Sequence, residues 1–211
     1  MPKILEITHD KGKLYRIALE DEQTLWLHGD LLAAEHLKVG QPLSEDDIAY
    51  LQEQAALHRT YEYALYCLDR RSYSCKELAD KLMSAKNPVE SAVTQTIEKL
   101  VRLGFLDDAR YAAELARTYI ESRHYGLRKA AFEMKRRGLS RELIEDALAA
   151  YSEDEQIAEQ LSELIAKKYA RYLTDEDDRK SIEKVTAALV RRGFDYADIR
   201  DAIRAWFEDE S

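Results

Sequence analysis

Arg136-Arg137-Gly138-Leu139-Ser140-Arg141-Glu142-Leu143-Ile144-Glu145-Asp146-Ala147-Leu148 decides the fold, because the pattern is met again further along the chain. There Arg191-Arg192-Gly193 repeats the opening, and Ile199, Asp201, Ala202 and Ile203 stand where Ile144, Asp146, Ala147 and Leu148 stood. Each copy reads as the end of one helix and the start of the next. Gly supplies the left-handed residue that closes a helix, Ser140 supplies a hydroxyl for the free N–H groups of its successor, and the apolar residues then recur at helical spacing. A recurrence at one fixed offset is the signature of a repeat array, in which neighbouring units bury each other's faces.

Working outward, Leu127 to Arg137 reads as the helix ended by Gly138. Asp107 or Asp108 opens the one before it, through Ala112, Leu115 and Tyr119. Between the two copies a long helix is expected over about 154–172. An acidic loop from Asp175 to Asp178 follows, then a helix to Arg192 and a last one near Tyr196 to Phe207. A less regular copy precedes both. Ser74 and Glu77 form a capping-box pattern that opens a helix through Leu78 and Leu82, which Asn87-Pro88 ends. Val89 to Leu103 follows with Val93, Ile97, Leu100 and Val101 inward, and Gly104 closes it. Ahead of that copy, Ser44 caps a long helix whose first turn holds Glu45, Asp46 and Asp47, where negative charge meets the positive helix end. Ile48, Leu51, Ala55, Leu65 and Leu68 mark its apolar face as far as Arg70 or Arg71.

The N-terminal stretch, Met1 to His28, follows a different period. Leu5 and Ile7, then Tyr15, Ile17 and Leu19, then Leu25 and Leu27 alternate, and polar turn sequences separate them. This predicts a three-stranded antiparallel meander with one apolar face that needs a cover. A short helix from Gly29 to about Leu37 is stopped by Gly40 and Pro42. The expected architecture is mostly α: tandem three-helix repeats forming a curved, elongated array behind a small N-terminal β-meander. Four parts are expected, namely 1–43 (meander and short helix), 44–106 (linking helix and first repeat), 107–152 (second repeat) and 153–211 (third repeat).

Charge divides these parts. The chain of 211 residues has 32 basic and 41 acidic side chains, a net −9, which by itself argues against a polyanion partner. Yet residues 110–141 hold nine bases and three acids, a surplus of +6, whereas 142–211 hold ten bases and 19 acids. Such asymmetry localises a polyanionic or acidic partner that the net charge would repel. Arg110 and Arg117 are two turns apart on one helix, and Arg128 and Lys135 repeat that spacing on the next. If the two faces adjoin, they make a basic stripe. Tyr111, Tyr119 and Tyr125 lie among these cations as candidate stacking rings, although core packing is the commoner fate of such tyrosines.

With these residues in view, the chain resembles the RecX family, regulators of the RecA recombinase. The resemblance rests on Ala64-Leu65 with Leu68, Arg70, Arg71, Ser74, Glu77-Leu78 and Lys81-Leu82. It rests further on Gly104-Phe105-Leu106-Asp107-Asp108 with Tyr111-Ala112, and on Gly126 before the helix ending in Arg136-Arg137-Gly138. It covers about residues 60–207 and not the meander. In the first unit Lys86-Asn87-Pro88 stands where the family ends its helix with Lys-Gly. The resemblance implies three tandem three-helix repeats and a protein without catalytic residues or cofactor. It implies binding in the groove of a RecA filament on single-stranded DNA, which restrains filament growth, ATP hydrolysis, strand exchange and the co-protease step of the SOS response. Arg70, Arg71, Arg110, Arg117, Arg123, Arg128, Lys129, Lys135, Arg136 and Arg137 are the expected partner- and DNA-binding face, with a weak direct DNA contact, and the expected state is a cytoplasmic monomer.

Two other classes compete. A three-helix unit with a basic helix also imitates a helix-turn-helix regulator, with Arg128, Lys129 and Lys135 as base readers. The scattered arginines and the acidic third unit weigh against it. An enzyme would need a catalytic constellation, and His9, His28, His36, His58 and His124 are isolated, with no HExxH, Walker or nucleophile motif. His58 shares a helix face with Tyr61 and Glu62 but reads as an ordinary surface residue. Asp107-Asp108 reads as a helix cap, and Cys67 and Cys75 as buried or idle thiols, so no metal site is expected. No apolar run reaches the roughly 20 residues that a membrane helix needs.

Overall fold

The computed structural model describes residues 1–209, which divide into two compact units, Met1–Leu106 and the chain from Asp107 onward. In the first, β1 (Ile4–Lys11), β2 (Leu14–Leu19) and β3 (Thr24–His28) form the expected antiparallel sheet in the order β1-β2-β3. Ile17, Leu19, Leu25 and Leu27 are buried. Strand β1 departs from simple alternation. A register irregularity between Ile4 and Glu6 turns Ile4 inward and leaves Leu5 exposed, because an extra residue in one strand reverses the faces on either side of it. The cover is α1 (Gly29–Ala34), shorter than expected, and the start of α2 (Glu45–Arg70), whose Ile48 and Leu51 join the sheet core.

Helix α2 starts at Ser44, and here the capping box is complete: Asp47 N–H donates to the Ser44 hydroxyl at 3.1 Å, and Ser44 N–H to the Asp47 carboxylate at 2.8 Å. Its second half buries Ala64 and Cys67 with α3 (Cys75–Met83) and α4 (Glu90–Arg102). Along α2 the fully buried positions beyond the sheet are Ala56, Ala64 and Cys67, while Ala55, Leu65 and Leu68 are half-buried. One helix serves the sheet at one end and a helical core at the other, so its inner stripe drifts from a single period. On α4, Val93 and Leu100 are inside, Ile97 is half-buried, and Val101 is exposed. Ser74 caps α3 by accepting from the Glu77 N–H at 3.0 Å.

The second unit holds two helix triplets, each around its own core. Helices α5 (Asp108–Arg117), α6 (Leu127–Arg136) and α7 (Arg141–Ala149) enclose Ala112, Tyr119, Ala130, Met134, Ile144 and Leu148. Helices α8 (Asp154–Leu164), α9 (Arg179–Arg191) and α10 (Tyr196–Asp209) enclose Leu161, Leu164, Val185, Leu189, Phe194 and Ile199. Asp107, Ser140 and Asp178 accept from the N–H groups of Arg110, Leu143 and Ser181 and so start α5, α7 and α9. Gly104 and Gly193 end α4 and α9 alike. Phe105 and Phe194 N–H groups reach back to Leu100 and Leu189 carbonyls at 2.9 and 3.3 Å, and the glycine φ angles of +74° and +91° make that reversal possible.

Neither first helix of these triplets ends as an α-helix. Both widen into π-helical turns, at Thr118–Ser122 and Ile165–Tyr169, and the latter tightens again over Ala170–Tyr172. Such turns re-aim backbone carbonyls and recur at functional positions.

Candidate functional site

The basic residues of 110–141 are carried by α5, α6 and the segments between them. Arg110 and Arg117 are exposed on α5, and Lys135 is exposed near the end of α6; none of the three belongs to an ion pair among the described residues. Helix α6 carries Arg128 at its start and Lys135 and Arg136 in its last turn. The last-turn cations oppose the negative end of the helix dipole, so part of this surplus supports the helix itself.

Several members have local partners. Arg136 pairs with Glu133 at 3.3 Å, and Arg141 pairs with Glu145 at 2.6 Å, the latter raising the Arg141 pKa through the hydrogen bond and the charge. Arg123 lies over the Tyr119 ring at 5.3 Å and Lys129 over Tyr125 at 4.2 Å. The Arg128 guanidinium is ion-paired with Asp195, which is distant in sequence and lies just ahead of α10. Arg137 is half-buried. Arg70 and Arg71 belong to the first compact unit. There Arg70 covers Tyr66 at 4.6 Å. Arg71 makes two hydrogen bonds to Glu77, at 2.8 and 3.0 Å, while covering Tyr73 at 3.5 Å.

The tyrosines of the basic segment are packing residues. Tyr111 and Tyr119 are buried, and Tyr119 stacks on half-buried Tyr125 at 5.9 Å with the cations just described above them. Face-on stacking of a nucleobase on Tyr119 is therefore closed by the protein's own core.

The residues considered for acid-base work are no better placed. The Lys99 ammonium sits over Tyr61 at 3.9 Å. His58 is half-buried rather than a plain surface residue. It packs its ring on His28 at 4.0 Å, and its Nε2 is buried without a hydrogen-bond partner among the described atoms. Burial first, and the neighbouring His28 second, hold its pKa below the usual imidazole value. Among the described residues no group of three His, Cys, Asp or Glu side chains is arranged for a metal ion, and no helix is long and apolar enough to cross a membrane. Both cysteines are free of disulfides, with Cys67 buried and Cys75 half-buried.

Sequence reasoning missed Gln160. From α8, its amide donates to the carbonyls of Ile120 at 3.0 Å and Tyr125 at 3.4 Å, in the π-turn and loop that lead to α6. Arg192, noticed only as part of a repeated tripeptide, reaches the same loop at the Arg123 and His124 carbonyls, 3.1 and 3.3 Å away. Their acceptors are backbone atoms, which leave no trace in side-chain patterns.

The architecture is that of a helical-repeat protein with a small N-terminal sheet and nine cations clustered between residues 110 and 141. Residues 107–148 match the family model of the RecX second three-helix domain, and residues 154–203 that of the RecX third three-helix domain. The "Regulatory protein RecX" of Trichlorobacter lovleyi is 32% identical over 148 residues, 70% of this chain and 93% of that one. That of Geobacillus kaustophilus is 31% identical over 165 residues, 78% of this chain but 60% of its own length. A crystal structure of regulatory protein RecX superposes with a TM-score of 0.70 at 25% identity, over 95% of this chain and 100% of that one. The chain belongs to the RecX family of regulatory proteins.

Proposed function

We propose that this protein is a non-enzymatic inhibitor of a RecA-type recombinase. It acts as a monomer in the cytoplasm on the recombinase filament assembled on single-stranded DNA. By occupying the filament it restrains growth, ATP hydrolysis, strand exchange and the co-protease activity that triggers the SOS response. The observation that carries this reading is the exposed cationic surface of the second triplet, a surplus of six charges over residues 110–141 in a chain of net −9. A cationic face between acidic regions attracts an acidic protein surface or phosphates at close range. The flanking negative charge weakens indiscriminate binding to DNA.

Arg110 and Arg117 are the cleanest probes, since both are exposed and outside any ion pair among the described residues. The expected result is that wild-type protein inhibits the single-stranded-DNA-dependent ATPase of a RecA recombinase, and that Arg110→Glu/Arg117→Glu, with an unchanged circular dichroism spectrum, loses most of that inhibition. Absence of inhibition by the wild type sinks the reading; full inhibition by the folded double variant removes the basic face from it.

A further inference from the structure

The second and third triplets meet through backbone. The N–H of Gly126, at the start of α6, donates to the Arg192 carbonyl at 2.8 Å, and the N–H of Arg128 donates to the Gly193 carbonyl at 3.3 Å. Free N–H groups at the positive end of one helix thus bind carbonyls at the negative end of another, satisfying both without water. The approach is close enough that side chains are excluded. A Cβ on Gly126 would run into the Gly193 carbonyl group, and one on Gly193 would run into the backbone nitrogen and Cβ of Lys129.

Side chains then clamp the surrounding loop. Arg192 holds the carbonyls of Arg123 and His124, Gln160 holds those of Ile120 and Tyr125, and Asp195 pairs with Arg128. The receiving loop is itself constrained, with His124 in the left-handed region at φ +51°. The buried cores of the two triplets form separate clusters, and the contacts that join the triplets here are directional ones. Apolar contacts are non-directional, whereas hydrogen bonds to fixed carbonyls specify one distance and one angle.

We propose that Gly126, Gln160, Arg192 and Gly193 are positioning residues: they lock the two triplets into one rigid piece, so that the basic α6 and the third triplet engage the filament together. This rests on the reading given under Proposed function. A rigid two-part ligand makes its second contact at high effective concentration, and loosening the joint dilutes that contact without removing either surface.

Gly126→Ala is the sharpest variant, because Gly126 has an ordinary φ of −71° and alanine there meets only the joint. Arg192→Ala removes the clamp, Arg192→Lys retains a cation and donor, and Arg191→Ala controls for lost charge. The joint is read by the electron-spin distance between nitroxides at Phe132→Cys on α6 and Tyr196→Cys on α10, both exposed, in a Cys67→Ala/Cys75→Ser background. The control protein and Arg191→Ala are expected to give one narrow distance. Gly126→Ala and Arg192→Ala should give a broad one with little change in helix content. Their ATPase inhibition should need about tenfold more protein, with Arg192→Lys recovering most of it. A narrow distance in both variants overturns the joint. A broadened distance with undiminished inhibition overturns its positioning role. Wild-type protein that does not inhibit at all defeats the recombinase reading instead, and leaves the distance result standing as a test of the joint. Should Gly126→Ala not fold, Gln160→Ala carries the same test.

Discussion

The second and third triplets share a helical template and differ in charge, the second nearly balanced with its cations clustered and the third acidic. Met134 and Leu189 hold equivalent places in the repeat and are both fully buried, in α6 and α9. Gly138 and Gly193 follow with φ of +81° and +91°. Around this common frame, residues 107–152 carry nine bases and eight acids, with all nine bases between 110 and 141, whereas residues 153–211 carry ten bases and 16 acids. Core positions and helix ends are therefore what the two copies share, and surface charge is where they part. The copies are also unequal at their edges: the loop before α6 accepts hydrogen bonds from Arg192 and Gln160, both of the third triplet.

The largest expected effect tests the shared template. Met134→Ala and Leu189→Ala each remove a fully buried side chain, and each should cost about 2–5 kcal/mol in urea denaturation. Similar losses support the equivalence; a loss below about 1 kcal/mol at either site breaks it, because that site would not be a core position.

A second comparison sets Gly193 against Gly104. Both end helices with positive φ, yet a Cβ on Gly104 meets nothing within 4 Å, while one on Gly193 runs into Lys129. Gly104→Ala should cost about 1–2 kcal/mol, the penalty of a left-handed alanine. Gly193→Ala should cost clearly more, because the joint must also open. Equal losses would mean that the close approach to Lys129 relaxes freely.

How much of this is legible in sequence follows from the range of each signal. Helix starts at Ser44, Ser74, Asp107 and Ser140 are set by residues one turn away, and the glycine ends by one backbone angle, so local patterns reveal them. On α2 the apolar pattern points to Ala55, Leu65 and Leu68, whereas Ala56, Ala64 and Cys67 are the buried positions, since one helix serves two differently placed cores. Alternation in β1 points Leu5 inward, and an irregular register that no residue type announces places Ile4 there instead. The block of positive charge is evident from counting. That Arg128 is committed to Asp195 is not, because the pair is remote in sequence and depends on how α6 and α9 meet.

The smallest expected effect concerns this same pair. Burial first, then the nearby Asp195, raise the Asp198 pKa above the usual carboxylate value, and Asp154 and Asp201 add to the rise while Arg128 opposes it. A carboxyl whose pKa is raised by folding favours the folded state when protonated. Its stabilising contribution is complete below the ordinary aspartate range and is lost as pH rises through the raised value. At neutral pH Asp198 is thus a modest burden on the acidic triplet, one that a cation from the second triplet relieves. Asp198→Asn should slightly raise stability at pH 7 and flatten the slope of stability in the acidic range that begins at the ordinary aspartate pKa and runs upward from it, measured by urea denaturation across that range. Arg128→Gln should steepen the same slope, because the remaining carboxylates then repel without a counter-charge. If Arg128→Gln leaves the slope unchanged, the clustered cations of the second triplet and the acids of the third act only on outside partners and not on each other.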